Sequence, residues 1–230
     1  FFEEAVTQEL SGVLEGHNVF IVAYGLPCTG KTHTIFGTTG QTRVKQEARG
    51  VITRCGQQLF DTIQRPENAG LSCRITVTFG HLFENGRVAD LFDAKKRSLN
   101  VVEKGTSGTQ WYEVEGLTEQ VVTSAQDVLR LVEKGYLMRN ATGCVSETAG
   151  GGTHGKVSLR GNAPLQQYRQ HNSHAIFKFT AETVNVASSG EATVASVVVV
   201  DLAGLGIEKS LSGATCADVG IESMHQVLRS

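Results

Sequence analysis

One short stretch limits what this chain can fold into more than any other. It is Gly25-Leu-Pro-Cys-Thr-Gly30-Lys31-Thr32, a full match to the phosphate-loop pattern G-x-x-x-x-G-K-[ST]. The pattern has chemical meaning only between a buried strand and a helix. The flanks meet that condition. "NVFIVAYG" (18–25) is a continuous apolar run ending in glycine, which suits a fully buried parallel strand. A helix is expected to begin at about Lys31. In that setting the backbone N–H groups from Gly25 through Leu26, Pro27 (which has none), Cys28 and Thr29 to Gly30 form a concave nest for phosphate. The helix start adds the positive end of its dipole. Lys31 can reach the outer phosphates and the Thr32 hydroxyl can ligate Mg²⁺.

A second element points the same way. "EATVASVVVVDLAG" (191–204) begins with alternation and ends in a buried run, Val197 to Val200, followed by Asp201 and Gly204. A carboxylate at the carboxyl end of a buried strand is where phosphate-loop hydrolases hold the water shell of Mg²⁺. Asp201 is therefore the second expected metal residue, acting through water. Gly204 can offer an N–H to the terminal phosphate.

The rest of the chain alternates helix and strand signals. An amphipathic helix is expected over residues 1–16, stopped at Gly16, and a second over 50–64, ended by Pro66. "SCRITVTFGHLF" (72–83) and "SHAIFKFTAETVNV" (173–186) alternate as strands, with Gly80 a candidate bulge. "ENGR" (84–87) reads as a turn, "VADLFD" (88–93) as a short helix or strand, and 110–124 as a strand approaching a helix. Ser124 is a good N-cap for the segment that follows. Residues 145–167 are Gly-, Ser- and Thr-rich without a period and read as a long surface loop; 217–230 read as the start of another helix. The fold class expected is α/β, a central and mostly parallel sheet flanked by helices, in one domain over 1–230.

Composition narrows the function classes. Lys plus Arg total 21 against 23 for Asp plus Glu, a formal net charge of −2, so no basic field argues for nucleic acid or an acidic membrane surface. No apolar run reaches the roughly 18 residues that span a bilayer. The acidic start, with Glu3 and Glu4, does not read as a signal peptide. Cysteines 28, 55, 73, 144 and 216 form no C-x-x-C and read as small buried thiols in a reducing compartment.

Several stretches together resemble the kinesin motor domain. They are "LEGHNVFIVAYGLPCTGKTHTIFG" (14–37), "RGVITRCGQQLFDTI" (49–63) and "VTFGHLFENGRVADLFD" (77–93), the last against the family form SYxEIYNExxxDLL. "VEGLTEQVVTSAQDVLRLVEKG" (114–135), "SHAIF" (173–177) and "VDLAG" (200–204) complete the series in the family's order. The resemblance implies an eight-stranded sheet with helices on both faces, ATP and Mg²⁺ as ligands, and the microtubule as partner. It implies a place in the cytoplasm on the cytoskeleton, ciliary or spindle microtubules included. His33 matches the family position that packs on adenine. The resemblance further implies that a first strand with an Arg-x-Arg-Pro adenine contact, the C-terminal third of the motor and any dimerising segment lie outside this chain.

Departures from the family fall at its two switches. Where the family has Asn-x-x-Ser-Ser-Arg-Ser-His, this chain has Gln167-Tyr-Arg-Gln170-His171-Asn172-Ser173-His174. Where the family has Asp-Leu-Ala-Gly-Ser-Glu, it has Asp201-Leu-Ala-Gly204-Leu205-Gly206. The family's arginine and glutamate pair when the switches close, and here both are gone, as Asn172 and Gly206. Losing one alone would strand a charge at about 3–5 kcal/mol; losing both avoids that and removes the latch. Removing transition-state positioning of this kind costs roughly 10²–10³ in rate. The stretch from Arg139 to His174 is also longer than the family's loop. The basic residues after Gly204 are only Lys209 and Arg229, few for a surface that meets acidic tubulin, and the short run Lys95-Lys96-Arg97 reads as a solvated turn. The expected function is thus an ATP- and microtubule-binding kinesin-like domain with weakened hydrolysis. Two alternatives stay open: a fully active motor in which Gln170 orients the attacking water, and a structural module indifferent to nucleotide.

Overall fold

The computed structural model describes residues 2–26, 28–38, 48–83, 86–95, 98–106, 111–142, 173–186 and 192–204. Its spine is a sheet in the order β1-β8-β7-β2-β3-β4-β5, with β6 paired separately to β2. The strands are β1 Val19–Ala23, β2 Leu71–Phe83, β3 Arg87–Asp90, β4 Leu99–Lys104, β5 Trp111–Val114, β6 Gln120–Val122, β7 Ser173–Asn185 and β8 Thr193–Asp201. The expected α/β class holds. The strand directions differ from expectation: β1 runs parallel to β8, whereas the β8–β7, β7–β2, β2–β3, β2–β6, β3–β4 and β4–β5 pairs are antiparallel. The sheet is therefore mixed rather than mostly parallel. β2, β7 and β8 succeed one another through long antiparallel ladders, and alternation within a strand carries no information on its direction.

Helices α1 Phe2–Ala5, α2 Thr7–Ser11, α3 Lys31–Phe36, α4 Val51–Ile63 and α5 Ala125–Thr142 pack on one face. The expected first helix is split at Val6 and finishes as a 3₁₀ turn, Gly12–Glu15, closed by Gly16 at φ 101°. Odd-numbered residues of the long strands point to the helices: Ile75, Val77 and Phe79 from β2, Phe177 and Phe179 from β7, Val197 and Val199 from β8. They meet Leu10, Ile35, Ile52, Cys55, Leu59, Val128 and Val132 in one core. α5 comes so close to the sheet that a Cβ on Gly135 would lie 2.2 Å from the Phe79 ring.

The opposite face carries Val198, Val200, Leu202 and Ile176. β1 is the sheet's edge among the described residues, with Phe20 43% and Val22 39% exposed, so it is not the fully buried strand its apolar run implies. Gly80 is no bulge, because it holds regular register with both Asp90 and Ile176. "VADLFD" contributes its first three residues to β3 and then bends. The expected loop at 145–167 and the helix at 217–230 lie outside the described residues, as does part of the turn at 84–87.

Candidate functional site

The site forms where the parallel pair β1–β8 ends. Their register sets Ala23 beside Asp201, so one strand delivers the loop and its neighbour delivers the carboxylate at the same level. The Leu202 N–H donates to the Ala23 carbonyl at 3.3 Å and continues this contact past the strand ends.

The loop closes on itself through its own side chains. Thr29 Oγ1 donates to the Leu26 carbonyl at 2.8 Å, and Lys31 Nζ donates to the carbonyls of Gly25 and Leu26 at 2.9 and 2.7 Å. Gly25 and Gly30 adopt φ 148° and 92°, which side chains disfavour, so the motif's two fixed glycines are required by the backbone. Cys28 takes φ 63°, uncommon for a non-glycine residue, and its side chain is exposed rather than buried as its type suggested. Gly30 caps α3, whose first two residues are Lys31 and Thr32. Pro27 lies outside the described residues.

From α3, Thr32 Oγ1 donates to Asp201 Oδ2 at 2.7 Å, joining residues 169 positions apart. A guanidinium reaches the same oxygen: Arg139 Nη1 donates to Asp201 Oδ2 at 2.7 Å, with side chains only 4% and 1% exposed. The Arg139 guanidinium also lies 5.6 Å from the centroid of the Phe36 ring. Asp201 Oδ1 is buried and has no hydrogen-bond partner among the described residues. The carboxylate is thus anchored on one oxygen and vacant on the other.

A second network ties the start of β7 to the segment after β8. The Ala203 N–H donates to His174 Nδ1 at 3.1 Å. Beside it, His81 Nε2 and Ser173 Oγ share a hydrogen bond of 2.6 Å, buried, from adjacent strands. Burial pushes His81 down to about 3, helped by the charges of Arg139 and His174. His174 is also lowered, first by burial and then by Arg139, with Asp201 opposing. Both rings are therefore neutral at pH 7.

Thr32 and Asp201 are in direct contact, Lys31 precedes Thr32 at the start of α3 with its Nζ on the loop carbonyls, and Gly204 follows three residues after the carboxylate. His33 lies on the same helix but faces a separate cavity with Phe2, Glu3, Arg49 and Arg54. Gln170, His171, Asn172, Leu205 and Gly206 lie outside the described residues. Sequence reasoning gave no role to Arg139 or His81. Arg139 sits in a charged helical stretch that looks like a solvated face. The available signal for His81 was its phase: it follows Ile75, Val77 and Phe79 on the inward side of β2.

Comparison with known proteins matches residues 1–155 to the family model "Kinesin motor domain". The chain is similar to kinesin-like protein KIN-5C of Nicotiana tabacum, 31% identical over 221 residues, 88% of this chain and 19% of that protein. It is also similar to kinesin-like protein KIF13B of Homo sapiens, 30% identical over 201 residues, 85% of this chain and 9% of that one. A solved structure described as that of a fast kinesin, with implications for ATPase mechanism and interactions with microtubules, superposes with a TM-score of 0.70. The sequences there are 25% identical over 98% of this chain and 55% of that one. The chain thus spans about a fifth or less of the length of these curated relatives.

Proposed function

The chain belongs to the kinesin motor-domain family, and from that premise we propose that it binds ATP with Mg²⁺, associates with microtubules and hydrolyses ATP slowly. The observation that carries the nucleotide reading is the 2.7 Å bond from Thr32 to Asp201. It fits a metal in two respects. The hydroxyl spends its proton on Asp201, so its lone pairs remain for a cation. The vacant, buried Asp201 Oδ1 supplies the acceptor that a metal-bound water needs. Few protein ligands are expected in such a site, because Mg²⁺ keeps several waters and takes substrate phosphate oxygens. When bound, the ion neutralises charge on the transferred phosphoryl group.

The chain's own residues then divide the work. Lys31 Nζ is held by the Gly25 and Leu26 carbonyls and exchanges them for phosphate oxygens. Arg139 holds Asp201 in place without occupying its second oxygen. His174 fixes the Ala203 N–H, and with it the approach to Gly204, which is proposed to meet the terminal phosphate. His33 is proposed to meet the base. Microtubule association rests on family membership, and with it a cytoplasmic, cytoskeletal location.

Slow hydrolysis rests on the sequence of the two switches. Asn172 and Gly206 replace a charged pair that orders the attacking water in the family, while the cradle stays complete. Binding and turnover are thereby separated. The double substitution Asn172→Arg with Gly206→Glu is expected to raise microtubule-stimulated turnover by roughly 10²–10³, and either change alone far less. Wild-type turnover equal to that of an intact kinesin motor assayed beside it would refute the slow-hydrolysis reading.

A further inference from the structure

The end of the β2–β7 ladder carries a buried polar contact outside the phosphate loop and the Asp201 carboxylate. The ladder runs from the Leu71–Asn185 pair to the Phe83–Ser173 pair, and Ser173 is the first residue of β7. Strand ends fray where a backbone ladder stops. Here a side-chain bond holds the last pair. His81 is paired with Ala175, so Ser173 is its diagonal neighbour on the same face of the sheet. The 2.6 Å bond between His81 Nε2 and Ser173 Oγ joins two side chains that are each 1% exposed.

Residues 173 and 174 thus grip two different partners. Ser173 is bonded to β2, a strand in the middle of the sheet. His174 Nδ1 accepts the Ala203 N–H at 3.1 Å, from the segment after β8. Ala203 leads directly into Gly204, and Asn172 directly precedes Ser173, so both switch sequences meet the sheet at this pair. The His81 ring packs 4.6 Å from the Phe83 ring, centroid to centroid, and its Nδ1 has no hydrogen-bond partner among the described residues. A half-satisfied buried ring is costly, and an apolar pair would fill the same place without that cost. What the polar pair adds is direction, which apolar contacts lack.

We propose that His81 is a positioning residue for the terminal phosphate of the nucleotide. Through Ser173 it fixes the start of β7, through His174 the Ala203 N–H, and so the approach to Gly204. This rests on the nucleotide reading and deepens it. Without the His81–Ser173 bond the competent arrangement is populated less, and apparent affinity falls by that fraction. The loss is confined to ligands that carry a terminal phosphate, because Lys31 and Thr32 stand on α3 and do not touch this pair.

The test is calorimetric titration of the whole chain with MgADP and with the magnesium complex of AMP-PNP, a non-hydrolysable ATP analogue. Only the second carries a terminal phosphate. His81→Leu, of similar volume, and Ser173→Ala should each leave MgADP binding within about twofold of wild type. Each should weaken AMP-PNP roughly five- to tenfold, the worth of one hydrogen bond. His81→Gln places an amide where Nε2 stands and should keep the wild-type ratio of the two affinities. The double variant of His81→Leu with Ser173→Ala should lose no more than either single change, because the two share one bond. A wild-type ratio in both single variants would overturn the proposal. So would an equal loss for both nucleotides, or a double variant that loses the product of the two. If the wild type binds neither nucleotide, the nucleotide reading and this proposal fall together. Failure of the variants alone, with wild-type binding intact, overturns the role of His81 only.

Discussion

Replacing Arg139 by methionine tests whether the buried charge at the phosphate loop is held as the geometry implies. Methionine keeps most of the volume and can pack on Phe36, which the guanidinium now faces. What it removes is the cation bonded to Asp201 Oδ2 at 2.7 Å. The carboxylate, 1% exposed, is then left with the Thr32 hydroxyl as its one described hydrogen-bond donor. Breaking a buried pair from one side costs about 3–5 kcal/mol, a large part of the roughly 5–15 kcal/mol that holds a domain folded. With a urea dependence of about 2–3 kcal/mol per molar, the unfolding midpoint should fall by roughly 1–2.5 M. Asp201→Asn, which strands the guanidinium instead, should cost a similar amount. The double variant carries neither charge and should be less destabilised than the two single losses combined, by roughly 1–3 kcal/mol. Circular dichroism in urea reads all four proteins. Single variants within about 1 kcal/mol of wild type, or a double variant equal to the sum, would refute the reasoning.

Three further outcomes follow from the same structure. His81 has a folded pKa near 3 against 6.5 when unfolded, so the stability it contributes is complete above 6.5 and is lost as the pH falls below that value. Between pH 6.5 and 5 the loss should be roughly 2 kcal/mol, read by urea unfolding, and His81→Gln should flatten that slope. In a chain whose Cys144 and Cys216 are replaced by serine, Ellman's reagent should label exposed Cys28 at once and Cys55 only on unfolding, since burial pushes the Cys55 thiol up to about 12; MgADP should slow the labelling of Cys28. Gly135→Ala drives a methyl group into the Phe79 ring and should lower stability by about 1–3 kcal/mol in the same unfolding assay.

The parts of the molecule that were legible in sequence are those whose cause is local. The loop from Gly25 to Gly30 declares itself because its backbone takes positive φ at both glycines, and the chemistry proposed for it uses Lys31 and Thr32. The long strands announce themselves by alternation, and α4 falls within a residue of its expected bounds. Strand direction and exposure depend instead on which strand lies alongside. The apolar run of β1 reads as buried on both sides, yet Phe20 and Val22 face outward at the edge of the described sheet. Arg139 was hidden for the same reason. Its partner lies 62 residues away, and only the parallel register of β1 and β8 together with the path of α5 brings the two into contact. His81 shows an intermediate case: its phase on β2 was visible, but its Ser173 partner sits across a strand pair.

The central claim is that loop, carboxylate and α3 make a working Mg²⁺–nucleotide cradle. Calorimetric titration of ADP into the chain, with Mg²⁺ and again with EDTA, tests it most directly. Saturable one-to-one binding is predicted, weakened at least tenfold by EDTA and at least tenfold in a folded Lys31→Ala variant. No binding, or an affinity indifferent to both Mg²⁺ and Lys31, would contradict the account.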